Sequence, residues 1–303
     1  IIFKAKSETA AAPSTSTGTR AFLKIQDGCD AFCTYCIIPS LRGRPVSRNE
    51  AEILQEFHTL VEKGYKEIVL TGIHIGLYGI DTGTSLAELL NKLVPIEGDF
   101  RIRLTSLYVN EITPELIDCI NKSNDKISQH FHISIQSCSA DILRAMGRKY
   151  TPQDIYSAVS RIREVLKDAY IGADIITGFP GETETLYQET LTFLKEIKLD
   201  YLHVFPYSIR PNTPAAKLEQ QIPAEVKQKR AKELHNLAAQ QKHDSAVRML
   251  GKTVRVLTEK GNKGHSGSFH LVYLPDNTTH NIFADAVIRE VKPDGSLVGD
   301  IIL

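Results

Sequence analysis

The feature that most limits this sequence is a hydrophobic period that changes repeatedly between residues 20 and 208. Six short runs are mostly apolar and rich in β-branched residues: FLKIQDG (22–28), KEIVLTG (66–72), RIRLTSL (101–107), FHISIQS (131–137), IGADIITGF (171–179) and DYLHVFPYS (200–208). The stretches between them carry a helical stripe. Ser47 and Glu50 have capping-box spacing ahead of Ile53, Leu54, Phe57, Leu60 and Val61. Further helices are expected over 85–94, after Thr113-Pro114, over 139–146 and 152–167, and over 183–198.

Strands apolar on both faces need cover on both faces, which a parallel sheet wrapped in helices provides. The expected fold class is therefore α/β. Six units are too few for a closed eight-stranded barrel and fit a partial (β/α)6, TIM-like barrel; a doubly wound sheet satisfies the pattern as well. In both architectures ligands meet the C-terminal ends of the strands. The polar and glycine-rich motifs fall there: Gly28-Cys29, Thr71-Gly72, Gln136-Ser137 and Gly178-Phe179-Pro180-Gly181-Glu182.

Residues 1–19 (ending SETAAAPSTSTGT) cannot bury a core and read as a linker remnant. With Ile1 as first residue, the expectation is a fragment of a longer protein. The α/β core is expected over 20–221 and a connecting helix over 222–250, with Pro223 near its start and Gly251 just past its end. From 251 to 303, short strand-like runs separated by Gly, Asn and Asp predict a small β-barrel. The chain has 36 basic and 36 acidic residues, so net charge does not mark a nucleic-acid binder and any such contact must be local. There is no membrane-length apolar run and no signal-peptide pattern, which leads to the expectation of a cytoplasmic protein without membrane partners.

Three of the five cysteines form Cys29-x3-Cys33-x2-Cys36. Clustered thiols of this kind favour metal over a disulfide framework. A [4Fe–4S] cluster needs one ligand per iron, so three cysteines on one loop leave one iron open. An open iron suits S-adenosylmethionine (SAM), whose amino and carboxylate groups chelate it, and electron transfer then cleaves the sulfonium to give a 5′-deoxyadenosyl radical. A zinc site would want a fourth ligand, and the first histidine after the loop, His58, lies in a helical stripe. An electron-transfer ferredoxin would want a fourth cysteine. Cys119 falls in a predicted helix and Cys138 follows a strand end.

These residues resemble the radical SAM superfamily, including the aromatic Tyr35 before the last cysteine. KIQDGCDAFCTYCIIPSLRGRPVSR (24–48), LTGIHIGLYG (70–79), HFHISIQSCS (130–139), MGRKYT (146–151), DIITGFPGET (174–183) and YLHVFPYSIRPNTPAA (201–216) look like the methylthiotransferases within it. The resemblance spans residues 20–303 and is strongest to the branch acting at C2 of N6-threonylcarbamoyladenosine, next to the tRNA anticodon. The isopentenyladenosine and ribosomal-protein branches are close relatives.

The resemblance implies a C-terminal RNA-binding TRAM barrel, a tRNA anticodon loop as partner, and an electron donor such as flavodoxin or ferredoxin. It also implies an N-terminal domain with a second [4Fe–4S] cluster, whose cysteines are absent here. For SAM it implies backbone contacts from Thr71 and Gly72, ribose contacts from Gln136 and Ser137, and pocket roles for Tyr35, Asp174 and Gly178. No side chain is singled out as a general acid or base. Two departures stand out: Cys138 where the family usually has Gly, and Tyr108 near a usual Glu.

Asp174 lies mid-strand, where a carboxylate is costly unless it is functional or has a basic partner. Arg148 and Arg210 suit a phosphate or cofactor carboxylate, with a structural ion pair as the alternative. Arg42, Arg44 and Arg48, the basic 222–255 stretch, and Lys252, Arg255, Lys260, Lys263, His265 and His270 form the expected RNA-facing set. A base attacked at C2 must leave its stack, which suits a single-stranded loop. An RNA-binding remnant without catalysis and an electron-transfer protein remain the competing readings.

Overall fold

The computed structural model describes residues 19–302, so the linker expected over 1–19 lies almost wholly outside the described residues. In chain order the core comprises β1 (Arg20–Asp27), α1 (Ile38–Arg42), β2 (Val46–Ser47), α2 (Glu50–Glu62), β3 (Glu67–Gly72), α3 (Leu86–Leu93), β4 (Arg101–Leu104) and α4 (Pro114–Asn121). It continues with β5 (His130–Gln136), α5 (Ala140–Ala145), α6 (Pro152–Val165), β6 (Tyr170–Thr177), α7 (Glu184–Ile197) and β7 (Tyr201–Pro206). A long helix, α8 (Ala224–Val247), leads to β8 (Thr253–Glu259), β9 (Lys263–Ser266), β10 (Leu271–Tyr273), β11 (Phe283–Val291) and β12 (Leu297–Ile301).

The six main strands run parallel in sequence order. β1, β3 and β4 pair in one sheet, with the short β2 antiparallel on the edge of β1; β5, β6 and β7 pair in a second. Leu107 joins the two: its N–H donates to His132 O (2.9 Å) and its carbonyl accepts from Ser134 N (2.9 Å). The result is an open arc. A doubly wound sheet would reverse strand order at a switch point, and this one does not. The partial barrel is therefore the fold, as the strand–helix alternation predicts.

Helix faces follow the apolar spacing. α3 buries Leu86, Leu89, Leu90 and Leu93, and α6 buries Ile155, Ala158, Val159 and Ile162, each at i, i+3, i+4, i+7. Thr113 caps α4 by accepting from Leu116 N, with Pro114 at the first position. The expected Ser47–Glu50 box does not form. Ser47 pairs with Gln26 in the β2–β1 ladder, and its hydroxyl meets Asp81 and Gly79 N; Asn49 caps α2 instead. The pull of the strand edge outweighs the local capping signal. No helix among the described residues is long and apolar enough to cross a membrane.

β8–β12 close into a barrel in the order β10-β12-β11-β8-β9. Its small core includes Val256, Val272, Ile288 and Leu297, joined by Ala246 and Met249 from the end of α8. α8 is held to the arc by polar pins: Arg230 to Glu182, Gln241 Nε2 to Leu194 O (2.8 Å) and Ser245 Oγ to Asp200 (2.6 Å).

This barrel docks under the N-terminal ends of the arc's strands, opposite the cysteine loop. Arg20 at the start of β1 reaches Glu259 (2.6 Å), Arg101 at the start of β4 reaches His265 O (3.2 Å), and Phe269 lies under the Arg103 guanidinium (4.1 Å). The centre of this floor is Glu67, fully buried and shared by Arg20, Arg101 and Arg103.

His270 packs edge-on against Tyr170 and 3.2 Å from Ser245 Oγ. Burial pushes its pKa from the ordinary 6.5 down to about 4, against the pull of Asp200. Below pH 6.5 the unfolded chain takes up a proton that the folded chain refuses. This contribution, on the order of 3 kcal/mol, is therefore complete above about pH 6.5 and is lost as pH falls toward 4. The urea midpoint is expected to fall between pH 7 and 4.5, with a flatter profile in His270→Gln; an equal slope in both would contradict this.

Candidate active site

The cysteine loop leaves β1 at its C-terminal end. Gln26, on the inner strand face that also carries Arg20, Phe22 and Lys24, is almost fully buried there. Its Nε2 donates to the carbonyls of Asp27 and Gly28 (both 2.8 Å), and its Oε1 accepts from His74 N (2.8 Å). One side chain thus ties the root of the cysteine loop to the loop after β3. Gly28 has φ +76°, and a Cβ there would strike the Arg44 carbonyl.

Cys29 and Cys33 are buried and Cys36 half-buried, and all three are free thiols. Cys29 Sγ lies 3.4 Å from His74 Nδ1 and 3.5 Å from Ala31 N. Burial pushes the Cys29 thiol up, but these contacts outweigh it and hold the pKa below the ordinary value. His74 in turn meets the Glu111 carboxylate through Nε2; burial lowers its pKa, and Cys29 and Glu111 more than reverse this, to about 9. Glu111 also accepts from Tyr108 N (2.7 Å), and Gly76 lies where a Cβ would collide with its carboxylate. Burial raises the Cys36 thiol, with the Ile38 N–H and Arg210 opposing.

Tyr108 sits between two charged planes. The His74 ring is 3.9 Å away, the Arg148 guanidinium 4.2 Å away, and the Tyr108 hydroxyl is 3.6 Å from Cys33 Sγ. Arg148 Nη2 donates to Tyr35 OH (2.7 Å), and the guanidinium also faces the rings of Tyr35 and Tyr150. Its Nε and Nη1 are buried with no partner among the described residues. Buried donors of this kind call for an acceptor. Of these groups, Cys33, His74, Tyr108, Arg148 and Tyr150 line a cavity of about 110 Å³.

The donor chemistry fits the expected groups. Three free thiols on one loop, with basic groups beside them, suit a cluster held by three cysteines. Cys119 in α4 and Cys138 in the core are buried, and burial pushes both thiols up, Cys119 to about 11. The two unpartnered nitrogens of Arg148, Nε and Nη1, suit an anionic acceptor such as the carboxylate of SAM.

The other nominated residues divide. Thr71 and Gly72 lie at the mouth, and a Cβ on Gly72 would stand 2.9 Å from Gln26 O, so the strand ends approach closely only through glycine. Gln136 is buried at the mouth with φ +69°. Ser137 turns away to Thr190 on α7 (3.2 Å). Gly178 packs under Lys227 of α8, and Glu182 folds back onto Gly178 N (2.7 Å) and Arg230 (2.8 Å), so this loop is latched to α8. Asp174 has no lysine or arginine partner among the described residues; it meets two histidines. Arg210 is exposed near Cys36.

The expected RNA-facing set needs correcting. Lys252 pairs with Asp168 (2.6 Å) and Arg255 with Asp99 (2.7 Å), both across the barrel–core contact, and Arg48 pairs with Glu56 (2.6 Å). His265 bonds Glu259 and His270 is buried. The barrel also lies at the end of the arc away from the cysteines, not beside them.

Spacing alone did not reveal Gln26, His74 or Glu111. The available signals were a buried amide within FLKIQDG and a histidine two residues after Gly72.

The family model described as Radical SAM superfamily matches residues 23–194. The threonylcarbamoyladenosine tRNA methylthiotransferase MtaB of Thermotoga maritima is 41% identical over 242 residues, 80% of this chain and 56% of that protein. The tRNA-2-methylthio-N(6)-dimethylallyladenosine synthase of Acetivibrio thermocellus is 40% identical over 257 residues, 83% of this chain and 53% of that protein. The chain thus spans little more than half the length of these relatives. Among solved structures, the radical SAM methyltransferase TsrM from Kitasatospora setae aligns with a TM-score of 0.55 at 16% identity, covering 64% of this chain and 38% of that one, a likeness of fold.

Proposed function

The chain belongs to the radical SAM superfamily, and on that premise we propose that it is the core of a tRNA methylthiotransferase acting at C2 of N6-threonylcarbamoyladenosine beside the anticodon. The observation that carries this reading is the set of three thiols at the mouth of the arc, next to a buried arginine whose Nε and Nη1 have no acceptor among the described residues. When bound there, a [4Fe–4S] cluster with one open iron supplies reductive cleavage of SAM as a source of a 5′-deoxyadenosyl radical.

The chain's own residues do the positioning. Cys29, Cys33 and Cys36 hold the cluster, and Gln26 fixes the loop that bears them. His74 directs an N–H at Cys29 Sγ, and Glu111 orients the imidazole. Arg148 receives the carboxylate of SAM, while Tyr35, Tyr108 and Tyr150 wall it from water and fix its plane.

For RNA, the reading places the anticodon loop at the cysteine mouth and the stem along the outside of the arc toward the C-terminal barrel, which acts as a TRAM module. β1 has eight residues, so mouth and floor are roughly 25 Å apart. Lys260 and Lys263, which have no ion-pair partner among the described residues, are the phosphate-facing cations of that barrel, in place of Lys252 and Arg255.

The test is mass spectrometry of tRNA nucleosides from a bacterial strain lacking its own enzyme for this step and supplied with the complete gene that contains this coding sequence, since the resemblance implies a second cluster domain for the full reaction. 2-Methylthio-N6-threonylcarbamoyladenosine is expected with the parent gene and not with Cys33→Ala. Methylthiolated isopentenyladenosine in its place would assign the other tRNA branch.

A further inference from the structure

A second group of metal-ligating side chains stands on the inner face of the arc, away from the cysteine loop. His132 on β5, Asp174 on β6 and His203 on β7 come from three adjacent strands. The register pairs Asp174 directly with His203, and His132 with Gly172 two residues before Asp174. Alternation along a strand puts all three on the face opposite Ile171, Ala173 and Ile175, which pack into the helix-covered core.

His132 Nε2 lies 2.9 Å and His203 Nδ1 3.4 Å from the same oxygen, Asp174 Oδ1, and the three ligand atoms all fall within 4.8 Å of one another. Both imidazoles face the carboxylate as ion-pair contacts, and no lysine or arginine among the described residues balances it. The side chains of His132, Asp174 and His203 are 21%, 18% and 51% exposed, so the group opens to the inside of the arc.

We propose that His132, Asp174 and His203 form a binding site for a divalent transition-metal ion of the zinc class. Two imidazole nitrogens and one carboxylate oxygen are a donor set such ions accept, whereas magnesium and calcium prefer oxygen alone. Donors about 2.0–2.2 Å from a tetrahedral ion stand roughly 3.3–3.6 Å from each other, and the two imidazole nitrogens stand 2.9 and 3.4 Å from Asp174 Oδ1. Three protein ligands leave a fourth position open, and it faces the inside of the arc, where an oxygen or nitrogen of a bound substrate completes the shell. The site does not depend on the reading of the cysteine loop.

The experiment uses the cluster-loaded chain, whose cluster thiols are already occupied. The protein is dialysed anaerobically against micromolar zinc chloride, and zinc and iron per chain are measured together. One zinc per chain is expected in the parent. His132→Ala and His203→Gln weaken zinc binding by at least about 10-fold while iron content is unchanged, which shows that the fold and cluster loop are intact. His235→Ala, at an exposed position on α8, leaves zinc unchanged. Zinc-edge X-ray absorption is expected to show nitrogen and oxygen neighbours only. A sulfur shell, absence of zinc from the parent, or zinc retained by both site variants would overturn the proposal.

Discussion

Glu67→Ala is expected to destabilise the folded chain by about 3–5 kcal/mol, the range for removing one partner from a buried ionic group. Glu67 has no exposed surface. Its two oxygens accept from Arg101 Nε (2.8 Å), from Arg103 Nε (3.2 Å) and Nη2 (3.0 Å), and from Arg20 Nε, and Arg101 Nη2 stands in ion-pair contact at 2.7 Å. The three arginines hold its carboxyl far below the ordinary carboxylate range, although burial alone would raise it. Without it, Arg101 and Arg103 lose the one carboxylate they pair with among the described residues, while Arg20 keeps Glu259.

Typical domain stability is only about 5–15 kcal/mol, so the loss is a large part of the whole. Glu67→Gln removes the charge but keeps the shape, and is expected to cost nearly as much. The exposed pair of Lys92 and Glu50 is the contrast: Lys92→Ala is expected to cost less than about 1 kcal/mol. Urea unfolding of the three variants checks this. Glu67→Ala within about 1 kcal/mol of the parent would mean the floor is not held by charge.

Cys33→Ala is expected to abolish cluster assembly and SAM cleavage together. A cluster held by three thiolates cannot lose one without exposing a second iron, and no other thiol is placed to substitute. Cys119 lies in α4, and Cys138 is packed against Thr190 with its backbone N–H 3.2 Å from that hydroxyl. Cys138→Ala is therefore expected to keep full iron content and the spectrum of the reduced cluster, while Cys33→Ala loses both. Iron analysis and electron paramagnetic resonance of the reduced proteins separate the two. Equal iron in both variants would remove Cys33 from the ligand set.

The arc was legible because its outer strand faces are apolar and meet amphipathic helices, so period alone reports them. The inner face was not legible. Gln26, Glu67, Arg101, Arg103, His132 and His203 read as polar interruptions of apolar strands, and their partners come from other strands tens of residues away. Asp174 shows the limit: its position marked it as needing a partner, but only the β5–β6–β7 register supplies the two histidines. The site was half legible for the same reason. Spacing identifies three cysteines on one loop, whereas the His74–Glu111 contact and the tyrosine cage around Arg148 join β3, β4 and β5 loops that sequence keeps apart. Ser47 and Lys252 failed differently. Local chemistry suggested a cap and an RNA surface, and tertiary pairing with β1 and with Asp168 took those groups for other ends.

The measurement that bears most directly on the central claim is formation of 5′-deoxyadenosine by the anaerobically reconstituted chain, given SAM and dithionite and quantified by chromatography. Product that appears with the parent and Cys138→Ala proteins and not with Cys33→Ala is the predicted result. A parent protein loaded with a four-iron cluster that yields none would contradict the account, leaving an iron–sulfur protein that binds RNA or carries electrons without radical chemistry.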